Sequence, residues 1–131
     1  MTRPSAPPAI DWSPAELRFL TDLIGVPAAF RLIELHGGAR VSVPKGVNQG
    51  SRLARDIGLA EARRLAARWG GDTLKVPLAR YWRARVYRAQ GLSYRAIARR
   101  LGVTEGTVHT YLRAAGMTGD AVKQLDLFPA A

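Results

Sequence analysis

Two short stretches of the chain alternate apolar and polar residues with the period of a strand, and the stretches around them do not. In ARVSVP, Val41 and Val43 alternate with Arg40 and Ser42; in DTLKVP, Leu74 and Val76 alternate with Thr73 and Lys75. Such alternation predicts half-buried strands. Two strands can pair with each other or with a second chain, and because an isolated ribbon is marginal, helices must cover one face. The helical stretches begin at Ser-Pro-Ala-Glu, where Ser13 stands as N-cap, Pro14 at the first helical position and Glu16 three residues after the cap, the arrangement of a capping box.

The two strand-like segments belong to an internal repeat. Offset by 33 residues, IGVPAAFRLIELHGGARVSVPK at 24–45 aligns with IGLAEARRLAARWGGDTLKVPL at 57–78, with nine of 22 positions identical. Each copy reads as a helix closed by Gly-Gly, then a short extended segment ended by proline. The first glycine of each pair is expected to take the left-handed conformation that ends a helix, and the second to let the chain reverse. Between the copies, KGVNQGSRLARD reads as a loop leading into a short helical approach.

From Pro77 onward the pattern is helical, in segments 78–90, 93–101 and 104–115 separated by glycines. LSYRAIARRLGVTEGTVHTYLRAAG has the spacing of a helix-turn-helix. Ser93 caps its first helix; Ile97, Ala98 and Leu101 form the inward stripe; Gly102 supplies the turn and Val103 plugs the angle. Thr104 caps the second helix, in which Val108, Leu112 and Tyr111 face inward. Glu105, Gly106, Thr107, His109, Thr110 and Arg113 are left outward, able to enter a major groove. Thr107, His109, Thr110 and Arg113 are the candidates for base edges or flanking phosphates, with Glu105 able to accept from a cytosine amino group. In the preceding YWRARVYRAQ, Tyr81, Trp82, Val86 and Tyr87 supply packing surface, while Arg80, Arg83, Arg85 and Arg88 are expected to hold phosphates. Arg95 and Arg99 extend that basic set.

Charge agrees with this placement. The chain of 131 residues carries 20 Lys and Arg against 10 Asp and Glu, a net charge of +10, which makes nucleic acid the default partner. Residues 76–116 hold eight arginines and one acid, Glu105, so the charge is concentrated on the proposed reader. The absence of cysteine excludes disulfides and thiolate metal sites. With neither a membrane-spanning apolar run nor a secretory core, a cytoplasmic, nucleoid-associated protein is the simplest expectation. His36 and His109 are the only histidines, and neither a His-Glu-x-x-His spacing nor a phosphate-cradling Gly-Lys-Ser loop occurs, so no enzyme, metal or cofactor is expected. His36, where the second copy has Trp69, is expected to pack at or cap its helix end.

The order helix, Gly-Gly, strand, proline, basic helix, helix-turn-helix resembles the Mor/C family of phage transcription activators, over about residues 57–115. The resemblance implies homodimers joined through the helix-strand module, an operator with dyad symmetry, and recruitment of host RNA polymerase. It implies that Gly70, Gly71 and Pro77 belong to the dimerisation module and residues 104–113 to the recognition helix. This chain departs from the family in carrying the module twice, which allows a pseudo-dimer with a single reading head, and in its tail. There Gln124, Leu125, Asp126, Leu127 and Phe128 spell QLDLF, which resembles the peptide by which bacterial proteins dock on the DNA polymerase sliding clamp. Nearness to a free C-terminus suits such a peptide, since it orders only on binding. The alternative is that these apolar residues fold back on the protein's own core.

The fold expected is thus mainly α with two short β-strands: a repeated helix-Gly-Gly-strand module at 13–76, then a three-helix helix-turn-helix unit at 77–116. A flexible N-terminus at 1–12 and a flexible tail at 117–131 flank them. The function expected is sequence-specific transcription regulation. A clamp-binding DNA adaptor and a nonspecific architectural protein are the alternatives, because a helix-turn-helix alone does not define function.

Overall fold

The computed structural model describes residues 14–116; the Ser13 cap, the N-terminal lead-in and the QLDLF tail lie outside the described residues. The chain forms two compact units, the first ending at Ala79 and the second beginning at Arg80. The architecture is mainly helical with one two-stranded sheet, the class the periodicity predicts.

The first unit opens with a 3-10 turn, Ala15–Leu17, and continues through α1 (Arg18–Ile24), α2 (Val26–His36), β1 (Arg40–Ser42), α3 (Arg52–Ile57), α4 (Leu59–Trp69) and β2 (Thr73–Lys75). Gly25 and Gly58, both at positive φ, separate α1 from α2 and α3 from α4. The repeat is therefore longer than the sequence alignment: each copy is helix, glycine, helix, Gly-Gly, strand. The helix α1 packs on α2 and α4, and α3 packs on α4 and α2, so each copy interlocks with the other.

β1 and β2 pair antiparallel within this one chain, with Val41 opposite Leu74. These residues are 33 apart, the offset of the repeat, so the pair sits on a pseudo-twofold axis. The hydrogen bonds obey it. Gly38 N donates to Val76 O and Gly71 N to Val43 O, both at 2.8 Å. Arg31 Nε donates to Asp56 O at 3.2 Å, and its counterpart Arg64 donates to Leu23 O at 3.0 Å. Val43, Leu74 and Val76 are buried and Val41 half-buried, while Arg40, Ser42, Thr73 and Lys75 are exposed, so the alternation holds with Val41 as its weakest position.

The glycine pairs reverse the roles expected of them. The first glycine is not left-handed: Gly37 has φ −54° and ψ 131°, Gly70 −57° and 131°. It is required for space, since a Cβ at Gly37 would stand 2.6 Å from Ile33 O and one at Gly70 would meet Ala66 O. The second glycine carries the positive φ, 85° at Gly38 and 86° at Gly71. His36 packs at its helix end, the first of the two roles expected of it, rather than capping it. Its Nε2 lies 3.0 Å from Asp56 Oδ2 on α3.

The second unit is three helices, α5 (Arg80–Ala89), α6 (Tyr94–Leu101) and α7 (Glu105–Ala114). Each packs on the other two. Val86 and Tyr87 of α5, Ile97 and Leu101 of α6, and Val108 and Leu112 of α7 are all buried. The ends are written locally. Ser93 Oγ accepts from Ala96 N at 3.1 Å, Gly102 turns the chain in the left-handed region at φ 71°, and Thr104 Oγ1 accepts from Thr107 N at 3.1 Å. Each such cap contributes about 1 kcal/mol. No helix among the described residues is long and apolar enough to cross a membrane.

Candidate nucleic-acid interface

Burying Val108 and Leu112 turns the opposite side of α7 to solvent, because residues four apart share a helix face. Glu105, Gly106, His109, Thr110 and Arg113 are exposed, and Thr107 is half-buried. Glu105, His109 and Arg113 follow one another at intervals of four, and Gly106 and Thr110 run beside them. Gly106 has no side chain, so a duplex can approach the backbone of the first turn closely.

The polar groups of this face are held in defined directions. Thr110 Oγ1 donates to Gly106 O at 3.1 Å, which leaves its oxygen free to accept. The hydroxyls of Thr104 and Thr107 lie 3.1 Å apart and complete the cap. His109 rests on Tyr94 of α6, ring centroids 4.2 Å apart, and the Arg88 guanidinium lies 5.0 Å from the same Tyr94 ring. Arg88, Tyr94 and His109 thereby join all three helices. From the sequence alone Tyr94 has only its place after the cap. Its position one residue past Ser93 puts it on the first turn of α6, beside α7.

The basic residues divide into two groups. Arg95, Arg99 and Arg100 of α6 and Arg113 of α7 are exposed. Arg95 and Arg99 are one turn apart on one exposed face of α6. Arg100 was not among the expected residues, although the doubled arginine is visible in the sequence.

The arginines of α5 do not form the phosphate-holding row expected of them. Arg83 is only 8% exposed. Its Nη2 donates to Tyr87 Oη at 3.2 Å and to Arg100 O at 3.5 Å, so it ties α5 to the end of α6. The reason is helical geometry: Arg83 lies four residues before the buried Tyr87 and shares its inward face. Arg88 donates to Leu92 O at 3.0 Å and closes the loop between α5 and α6. Arg85 lies over Tyr81, 5.7 Å from the ring centroid, and Tyr81 in turn meets Tyr111 edge to face. Of the four, Arg80 alone is exposed.

Between Arg80 and Gly116 the sequence holds eight arginines and one acid, Glu105, a strong local excess of positive charge. Exposed arginines beside an outward polar helix are suited to a nucleic-acid duplex. Residues 86–115 match the family model of sigma-70, region 4. The match spans the second half of α5 through α7, and it identifies a DNA-binding helix-turn-helix of the kind used in transcription. Neither a curated protein nor a solved structure matches the chain.

Proposed function

We propose that this protein is a sequence-specific transcription regulator, an activator of phage or prophage genes, that reads DNA with α7 and binds rather than catalyses. The observation that carries the reading is the outward face of α7, in which Glu105, Thr107, His109, Thr110 and Arg113 are presented on a capped helix seated by α6, with Arg95 and Arg99 flanking it. The match to sigma-70, region 4, supports a role in transcription and makes host RNA polymerase the natural second partner. The resemblance to the Mor/C family supplies the activator and phage assignments.

The pairing of β1 with β2 inside one chain bears on the operator. A module that closes on its own duplicate has the internal dyad that two subunits would otherwise make, which supports a pseudo-dimer with one reading head. Such a molecule binds a single asymmetric site, whereas a homodimer binds a dyad. Selection of bound sequences from a random duplex pool, combined with a mass measurement in solution, tests both points. The expected result is enrichment of one asymmetric motif by a monomer. Enrichment of no motif overturns sequence-specific reading, and a dyad motif bound by a dimer overturns the pseudo-dimer.

A second reading rests on QLDLF at 124–128, which supports docking on the sliding clamp and a role as a DNA adaptor in replication or repair. Truncation after Met117 should abolish binding to purified clamp. Equal binding by the full chain and the truncated chain removes the idea.

A further inference from the structure

The two copies in the first unit share a backbone but not a filling. Around β2, Phe19 and Trp69 meet edge to face with centroids 6.1 Å apart. At the positions 33 residues away stand Arg52 and His36, and Leu23 is replaced by Asp56. An apolar stack on one side of the pseudo-dyad thus faces a polar trio on the other. Long side chains are also exchanged for short ones, with Ser42 and Ser51 standing where the first side has Lys75 and Arg18. The outcome is a cavity of about 380 Å³ around β1 and α3.

Its chemistry is specific. His36 and Asp56, each one-fifth exposed, engage one another at 3.0 Å, so Oδ2 of the carboxylate is turned to the imidazole. Arg40 and Arg52 line the same cavity and have no acceptor among the described residues. Val41 and Leu53 contribute apolar wall. Two free guanidiniums, two hydroxyls and an apolar wall together suit a small organic anion. The volume lies near the lower end for small-molecule sites, roughly 300–1,000 Å³, and guanidinium groups are the preferred partners of planar carboxylates and of phosphates.

We propose that this cavity is a binding site for a small carboxylate- or phosphate-bearing molecule with an apolar portion. The site arises from the difference between the two copies and does not depend on the DNA-reading role of α7. The aromatic side shows the same frame with an apolar stack in place of the polar trio, which also supplies the control: His36→Trp, Arg52→Phe and Asp56→Leu together carry that stack over to this side.

The test is amide chemical-shift mapping of the full chain titrated with benzoate and with phenyl phosphate, the two arms separating carboxylate from phosphate. Saturable shifts confined to residues 36–56 with at least one probe are expected, lost in the triple variant. Should the triple variant fail to fold, Arg40→Thr on the exposed strand is expected to weaken binding about tenfold, as loss of one charge-assisted contact implies. The proposal is overturned if neither probe shifts these amides at about 10 mM, a limit set by the roughly mM affinity of weak complexes. It is equally overturned if the shifts fall on residues 94–113, or if Arg40→Thr binds as the unaltered chain does.

Discussion

The two units handle their cations in opposite ways. In the first, between residues 14 and 79, ten basic side chains are interleaved with six acidic ones, and Arg31 and Arg64 reach across the pseudo-dyad to backbone carbonyls of the opposite copy. In the second, eight arginines share one carboxylate; Arg83 and Arg88 turn to internal acceptors, and Arg95, Arg99 and Arg113 remain exposed. The first unit sets its cations among acids and directs two of them to its own carbonyls, whereas the second, between residues 80 and 116, carries a cationic excess whose natural complement is a polyanion. A shared excess of positive charge therefore means two different things within one chain.

The sharpest way to break this comparison is to remove what seats the reading face. Leu112→Ala deletes a fully buried side chain and should cost the second unit about 3 kcal/mol, measured by urea unfolding, with loss of DNA binding. The matching change in the first unit is Gly37→Ala. Its Cβ would meet the carbonyls of Ile33 and Pro77 at 2.6 and 3.2 Å, and a cost of about 2 kcal/mol is expected. Tolerance of alanine there, shown by an unchanged unfolding midpoint, would mean that the Gly-Gly turn is not needed for close approach.

A smaller pair of changes separates an arginine that holds the fold from one proposed to hold DNA. Arg83→Met should lower stability by about 1 kcal/mol through the lost bond to Tyr87 and leave the salt dependence of DNA affinity unchanged. Arg99→Gln should leave stability within about 0.5 kcal/mol and reduce the slope of log affinity against log salt by about one. The reverse pattern, read from salt titrations of both variants, would exchange their roles. The smallest effect concerns the junction of the units. Ala79 is held at φ 49°, a left-handed conformation unfavourable for alanine. Ala79→Gly should raise the unfolding free energy, read from urea unfolding, by no more than about 0.5 kcal/mol, because relief of the left-handed strain is largely offset by glycine's greater chain entropy.

How far the molecule is legible in its sequence depends on whether the deciding contacts are local. Ser93, Gly102 and Thr104 act within four residues of themselves, so the ends of α6 and α7 follow from residue type and spacing. The alternation at Val41, Val43, Leu74 and Val76 likewise marks the strands and their buried side. Which strand pairs with which does not follow, because it depends on how α1 to α4 interlock. The glycine pairs show the same boundary. That two glycines end each helix is legible, but which needs freedom and which needs space depends on carbonyls met only in the folded chain. Arg83 is a third case. Tyr87 reads as packing surface and Arg83 lies four residues before it, but the acceptors that let its guanidinium turn inward, Tyr87 Oη and Arg100 O, are met only in the folded chain. At the candidate site, the outward set on α7 was legible from the inward spacing of Val108 and Leu112. The support of His109 by Tyr94 is a contact between helices and was not.

The central claim is that the exposed side of α7, flanked by α6, is where duplex DNA sits. Hydrogen–deuterium exchange of the full chain, free and bound to a selected duplex, tests it most directly. Slower exchange is predicted within residues 94–113, with the amides of the first unit unchanged. Protection confined to residues 14–79, with 94–113 exchanging as in the free protein, would contradict the account.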